Sequence, residues 1–559
     1  MIFNSFKRVI GTMLAICVCF SILAACASPR TTTAPASSGD GAGLDEYVLQ
    51  YITTPSRYVN NDPSPVNQAI KDKFNIVIEM IAYAGDMDEK QGLMLAAGDY
   101  CEIQWMRNNS MASAYIEANA LHDLEQYKDI MPNFWARYGD DQIPLWRIVG
   151  NGTLYKWDIE VPMLAETDIS VNDMAMRADV LEYYGWPTPV STSDWIELMT
   201  KAAEDFPTID GKNAAAFTLP LGQDWGATLP FNLFSQGDKY IGAFDVKADK
   251  FIITSIAPET KESIKFFNDT YQLGLLDMES FTDDINMVEE KMRQGTVMSV
   301  YYSVWGNERY NPQIAAVAPE RQFIRLPIQL DSHVASGQKR LVQIHTINPF
   351  ESHGITKNAK DPERLAALVD WAMSDEGQII LRDGVEGLHW TRNASGKREL
   401  TDARIKEARD NEPGWLNSGG QDYYTFLGYF NIKMADGQWP SLFADPAVSD
   451  DLMLSARQKE AYASMGWSSS LGWYTDNAVL TYTGLLGAVS LDSTSDLGKI
   501  QQQLGEVSRK WAARLVTAKD DAEFENLWQQ YFDEIMMLNP QAVYDELNRI
   551  YEELKKQLG

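Results

Sequence analysis

The sequence predicts an α/β fold of layered strands and helices, on three observations. Apolar runs of strand length alternate with runs of helical period. A helix start signal, Asp361-Pro362-Glu363, stands at the head of one helical run. At 559 residues the chain is long enough for two or more hydrophobic cores.

The first segment precedes the fold. Lys7 and Arg8 lead into an apolar run from Val9 to Leu23, which ends Leu23-Ala24-Ala25-Cys26. A positive n-region, a short apolar h-region and small residues before a cut make a secretory signal, and about 15 apolar residues are too few to span a bilayer comfortably. The cysteine directly after Leu-Ala-Ala resembles the bacterial lipobox, which implies that Cys26 is acylated and becomes the first mature residue. Residues 27–43 (ASPRTTTAPASSGDGAG) are small, polar or turn-forming. They read as a flexible tether spanning roughly 20–25 Å.

Strands and helices then alternate. Residues 75–80 (NIVIEM) read as a buried strand, 86–97 as a helix and 102–105 as a second strand. Helices are predicted over 193–203, 259–273 and 285–294, followed by a strand over 296–302. Asp361 caps the next helix, with Pro362 in its first turn and Leu365, Leu368, Val369 and Ala372 on its apolar face. From about Leu497 to Leu558 the pattern is helical with little strand signal. No internal repeat is present.

Charge and cysteine content exclude several function classes. Removing a 25-residue signal from 559 leaves 534 residues, and removing Lys7 and Arg8 from a net charge of −30 leaves −32. That charge repels nucleic acid and anionic lipid, and a polyanionic glycan would need a local basic patch to overcome it. Cys17 and Cys19 leave with the signal. With Cys26 lipidated, Cys101 has no disulfide partner. The five histidines, at 122, 333, 345, 353 and 389, lack zinc-ligand spacing. Neither a Gly-x-Ser-x-Gly elbow nor a phosphate-binding Gly-x-x-x-x-Gly-Lys is found. A carboxylate pair for glycoside hydrolysis can be drawn from 78 acids, but only the folded spacing would decide it. Asp283-Asp284 and Asp450-Asp451 read as helix caps and solvated turns. No catalytic residue or cofactor is expected and no metal ligand is assigned; no EF-hand loop is present, although so many acids leave an oxygen-ligand calcium site open.

Four segments carry a family resemblance. EKQGLMLAAGDY (89–100) with EIQW after it, MRADVLEYYGWPTPVSTSDW (176–195), and the pair LGLLDMESFT (273–282) and MRQGTVMS (292–299) are three of them. The most specific is ITKNAKDPERLAALVDWAMSDEGQIILRDGVEGLHW (355–390). Together they resemble the carbohydrate-type family 1 extracellular solute-binding proteins of ABC importers, most closely the long lipoproteins of Gram-positive bacteria. One departure stands out: Cys101-Glu102 replaces the family's Pro-Asp after Gly-Asp. Cys101 reads as a small buried hydrophobe.

The resemblance implies a type II periplasmic-binding-protein-like fold, two discontinuous lobes joined by a hinge with the solute between them. The first lobe is expected over 44–165 and 345–400, and the second over 166–344 and 401–559 with the C-terminal helices. Crossings are expected near 161–171 and 341–349. The implied function is capture of an oligosaccharide and its delivery to an ABC permease by a monomer anchored through lipid on the extracellular face. The alternatives are a secreted carbohydrate-active enzyme and a receptor of the same fold for a non-sugar solute.

Sugar rings pack their C–H faces on flat aromatics while their hydroxyls need fixed polar partners. With 16 Trp and 25 Tyr, position must select among them. Trp105 ends the strand after Gly98-Asp99, followed by Arg107 and Asn108. Tyr302 and Trp305 follow the strand over 296–302, and Trp305 is the leading candidate. Trp225 and Phe231 lie in a loop assigned to the second lobe and read equally well as packing residues. Glu386 and Trp390 close GVEGLHW and could serve lobe packing instead. The stretch 428–447, with Trp439, is a further candidate for shaping one end of the site.

Overall fold

The computed structural model describes residues 43–54, 64–158, 173–223, 225–301, 307–344, 352–410, 426–428, 433–445, 448, 454–482, 484–491 and 495–558. The signal, Cys26, most of the tether, Tyr302, Trp305, His345 and Asp450-Asp451 lie outside them. In chain order the strands that build the sheets are β1 (Tyr47–Thr53), β2 (Ile76–Ala82), β3 (Ile103–Met106), β4 (Trp157–Asp158), β5 (Met174–Arg177), β6 (Ala215–Thr218), β7 (Val297–Tyr301), β8 (Phe323–Leu326), β9 (Arg340–Ile344), β10 (Ser352–Ile355) and β11 (Ala478–Tyr482). The helices that pack on them include α1 (Pro65–Phe74), α2 (Met87–Ala97), α3 (Asn109–Glu117), α4 (Thr192–Asp205), α5 (Pro258–Gln272), α6 (Ile285–Gln294) and α7 (Pro362–Ala372). Three more end the chain, α8 (Asp496–Val516), α9 (Asp521–Met537) and α10 (Pro540–Leu558).

Helix starts follow from capping chemistry. Ser64, Asp86, Asp284 and Asp361 each accept a hydrogen bond from a first-turn N–H, which satisfies a donor the helix itself leaves free. Ser191 and Asp194 form a reciprocal capping box at α4. Gly98 ends α2 at φ +68°, a conformation that glycine adopts without a Cβ penalty.

Two cores organise these elements. In the first, β1 and β2 pair in parallel over seven residues, and β10 lies between β3 and β4, antiparallel to both. Leu49, Ile78, Ile103, Trp157, Ile355, Leu365 and Leu368 are buried there, each stabilising by about 1.5–3 kcal/mol. In the second, the strand order is β8-β5-β7-β6, with β7 and β6 parallel and β5 antiparallel to its neighbours. Met176, Trp195, Phe217, Phe267, Met298 and Ile324 fill it together with Trp511, Leu515, Phe524 and Tyr531 of the C-terminal helices. Phe426, Leu427 and Met434 pack into the first core, although the sequence reading groups everything after 400 with the second lobe.

The chain passes between the cores from β4 to β5 and from β9 to β10. The sequence reading places a third passage at 400/401, whereas Phe426, Leu427 and Met434 still belong to the first core, so the passage comes later in the chain. β11 pairs in parallel with β9, Gly487 O accepts from Asn109 Nδ2 of the first lobe at 3.3 Å, and α8 returns to the second core. There Asn268 Nδ2 donates to Val516 O and Ala518 O.

Buried charge brackets the first two passages. Asp158 and Ser352 face each other across β4 and β10, and Lys156 Nζ reaches Asp158 Oδ1 at 2.7 Å and Ser352 Oγ at 3.0 Å. On the other side, Asp173 accepts from Arg325 Nε at 2.9 Å, Arg340 Nη2 at 3.1 Å and the Tyr474 hydroxyl at 2.5 Å. Losing one partner of such a buried pair costs about 3–5 kcal/mol, so both ends of the passages are held firmly.

Candidate ligand-binding site

The strand directions single out a candidate region. In open α/β sheets, ligands bind outside the carboxyl ends of parallel strands. The parallel strands β6 and β7 end at Thr218 and Tyr301. Tyr301 is in register with Met174, the first residue of β5 after the passage from β4. In the first lobe β3 ends at Met106, opposite Ser352, the first residue of β10 after the passage from β9. The ends that bear the candidate side chains are therefore the ends from which the passages run.

On the first-lobe rim, Arg107 follows β3 directly and is half exposed. Its backbone N–H donates to Gln91 Oε1 at 3.3 Å, and its guanidinium lies 3.9 Å from Asp88 Oδ2. Asp88 and Gln91 stand one turn apart on α2. Asp88 Oδ1 and Gln91 Nε2 are both buried and have no hydrogen-bond partner among the described residues. Asp88 and Arg107 thus present a carboxylate and a guanidinium at the surface, groups suited to sugar hydroxyls, with fully buried Gln91 beneath them. Sequence reading missed Asp88 and Gln91. Their signal is an acid and an amide three residues apart in the first turns of a helix, beside the strand whose Arg107 was singled out. Asn108 spends its side chain on capping α3, accepting from Met111 N–H at 2.8 Å. Trp105 is buried in the first core, opposite His353 across β3 and β10, so its ring is engaged in packing.

On the second-lobe rim, Trp225 is 42% exposed, in the loop that follows β6. Phe231, in the same loop, is buried with its ring 5.6 Å from Tyr531, and so packs lobe against C-terminal helices. Gly226 is required there, since a Cβ would sit 1.8 Å from Pro220 O. Tyr302 and Trp305, the residues named after β7 in the sequence, lie outside the described residues. Glu386 and Trp390 form a separate hairpin unit. Trp390 is buried, donates from Nε1 to Gly384 O at 2.9 Å and carries the Arg392 and Arg398 guanidiniums over its ring. Exposed Glu386 lies 3.4 Å from Arg392 Nε. Trp439 is likewise buried, under the Lys433 ammonium.

Reactive chemistry is muted. Cys101 is a free, buried thiol whose pKa burial pushes up to about 11, so it remains protonated and inert at neutral pH. The Lys156–Asp158–Ser352 cluster is sealed from solvent and internally paired, which suits a structural role. Asp284 caps α6 as expected, but Asp283 is a buried partner of Lys291 rather than a solvated turn residue.

No family model matches the chain. Over 302 residues it is 24% identical to the fructooligosaccharide ABC transporter substrate-binding protein FusA of Streptococcus pneumoniae serotype 4. That match spans 50% of this chain and about half the length of FusA, 55%. Among solved structures, the FusA complex with kestose covers 91% of this chain and 99% of its own, at 15% identity and TM-score 0.62. The alginate-binding protein AlgQ2 without calcium ion does so at 16% and 0.63 with the same coverage. An HMO-binding solute-binding protein of Bifidobacterium longum infantis does so at 13% and 0.62, again with that coverage. In sequence and in fold the chain is thus similar to the solute-binding proteins of ABC transporters, and it has their type II, two-lobe architecture.

Proposed function

We propose that this protein is the substrate-binding component of an ABC importer, capturing a neutral oligosaccharide between its lobes and handing it to a membrane permease. The observation that carries the reading is the shared fold over 91% of the chain with proteins that bind kestose, alginate and HMO. Arg107 and Asp88 on one rim, backed by buried Gln91, and Trp225 on the other supply hydrogen bonds and a flat apolar face. Tyr302 and Trp305, which lie outside the described residues, remain in this reading as ligand-stacking residues. Asn108, Trp105 and Phe231 enter this reading as supports that orient those rims, while Glu386 and Trp390 belong to the separate hairpin.

In this reading the protein is a monomer, held on the extracellular face through lipid on Cys26 and the tether after it. Among the described residues no helix is long and apolar enough to cross a membrane. Stable anchoring needs two or more acyl chains, since one binds only marginally. The protein returns its solute unchanged. FusA, the relative matched in sequence, is a transporter component, which supports a receptor over an enzyme.

The test is a glycan panel of kestose, nystose, milk oligosaccharides and mannuronate oligomers, read by melting temperature and by glycan integrity in the same tube. A ligand at 100 times its Kd stabilises by about 2.7 kcal/mol, enough for a clear upward shift. A shift with the glycan intact is the expected result. Conversion of the glycan to smaller products would instead establish the secreted enzyme, and a panel without any shift would turn the search to non-sugar solutes.

A further inference from the structure

We infer that Lys291 is a built-in cation which positions the Trp225 loop for ligand, taking the place that a divalent metal ion would fill among three carboxylates. The inference rests on reading that loop as one rim of the ligand site.

Three acids converge on one ammonium. Lys291 Nζ lies 2.7 Å from Asp277 Oδ2, 2.7 Å from Glu279 Oε2 and 2.6 Å from Asp283 Oδ2. The carboxylate oxygens all fall within 4.8 Å of one another. Lys291 and Asp277 are largely buried and Asp283 almost wholly so, while Glu279 closes the cluster from the solvent side. Like charges this close repel strongly in a low-dielectric setting. An ammonium has three donors, one for each acid. Burial works against the Lys291 charge, but its three hydrogen bonds outweigh it and hold the pKa above the usual lysine range. Burial pushes the Asp283 carboxyl up, with Lys291 opposing it.

The clustered acids lie on residues 277–285, and this segment is strapped to the loop that carries Trp225. Asp277 N–H donates to Phe217 O at 2.8 Å, Leu221 N–H to Ser280 O at 3.0 Å and Gly222 N–H to Asp283 O at 3.0 Å. Gln223 Oε1 accepts from Ile285 N–H at 3.1 Å. Gly222 approaches so closely that a Cβ would sit 2.4 Å from the Thr282 carbonyl carbon. Lys291 reaches back to the segment from the last turn of α6, which leads into β7. One ammonium therefore ties the β6 loop, the 277–285 segment and the helix before β7 into a single rim. Without it, three carboxylates would push apart the backbone on which the loop rests.

The test uses the full chain in detergent, as wild type, Lys291→Met and Lys291→Ala, at a temperature where each is folded. In Lys291→Met, amide exchange over residues 219–226 should accelerate at least tenfold and kestose affinity should fall at least tenfold. In Lys291→Ala, which opens room for an ion, millimolar Ca²⁺ should restore both, while leaving the wild type unchanged. Exchange over 219–226 that is unaltered in Lys291→Met overturns the inference, as does Ca²⁺ acting equally on wild type and variant. Kestose failing to bind the wild type counts against the receptor reading alone, because the exchange measurement still judges the strap.

Discussion

At the scale of single residues, the informative side chains are polar groups placed where water is scarce. His333 is fully buried, with both ring nitrogens unpaired among the described residues, and burial pushes its pKa down to about 4. His389 is also buried and depressed to about 4, with its Nδ1 accepting from Val385 N–H. The unfolded chain takes up these protons near pH 6.5, while the native state resists until about 4. The unfolded state thus binds more protons in that window, and stability is lost as pH falls from 6.5 toward 4. Each histidine contributes on the order of 3 kcal/mol to the loss. Urea titrations at pH 7.5 and 5 should show the drop, and His333→Leu should make it shallower by about half. Asp88 affords a second expectation. Because it is half exposed and its ion pair with Arg107 is long, Asp88→Ala should leave the melting temperature within about 2 °C. Kestose affinity should fall about tenfold, near 1.4 kcal/mol, by isothermal titration. At this scale the sequence spoke unevenly. Arg107 was legible because it follows a strand end. Asp283 was not, because its partner Lys291 lies on the next helix and one-dimensional reading does not show which side chains burial brings together.

At the scale of elements, local chemistry and period match the structure closely. The predicted helix over 285–294 is observed at those bounds, the helices over 193–203 and 259–273 shift by one or two residues at their ends, and Asp361 caps α7 as expected. Caps and apolar stripes are encoded within a few residues of each other, so a linear reading finds them. The three C-terminal helices were legible as helices, but their task was not. Trp511, Leu515, Phe524 and Tyr531 complete the second core, and truncating any one to Ala costs about 2–5 kcal/mol. Together these losses are comparable to the whole stability of a typical domain, about 5–15 kcal/mol. A chain stopped at residue 495 is therefore expected to lose the cooperative unfolding of its second lobe, measured by calorimetry as a missing transition. Survival of that transition would show that the helices only decorate the lobe.

At the scale of the whole molecule, charge and connectivity dominate. A net charge of −30 over 559 residues, with Arg107 balanced by Asp88, disfavours a glycan that is itself anionic. Mannuronate oligomers should bind at least tenfold more weakly than neutral oligosaccharides of equal length. Raising salt from 50 to 500 mM should strengthen the anionic binding by screening and leave the neutral binding within twofold, as titration calorimetry would report. Connectivity was only partly legible. The lobe bounds drawn from the family resemblance imply three passages, but they set the third at 400/401, whereas the chain still packs on the first core at Phe426, Leu427 and Met434 and touches it again at Gly487 beside Asn109. This late passage arises because the second core needs the C-terminal helices and the chain must travel along the first lobe to deliver them.

By itself the sequence determined what is local or summed over the chain. It set the alternation of strand and helix, the capped helix starts, the charge that turns away polyanions, and the motifs that point to a two-lobe solute-binding fold. Tertiary structure alone decided which aromatics remain available. It buried Trp105, Phe231 and Trp390, left Trp225 exposed, and brought Asp88 and Gln91 beside Arg107. The reason is physical. Period and capping act between neighbours in the chain, whereas burial and the pairing of charges depend on residues that only the closed core makes neighbours.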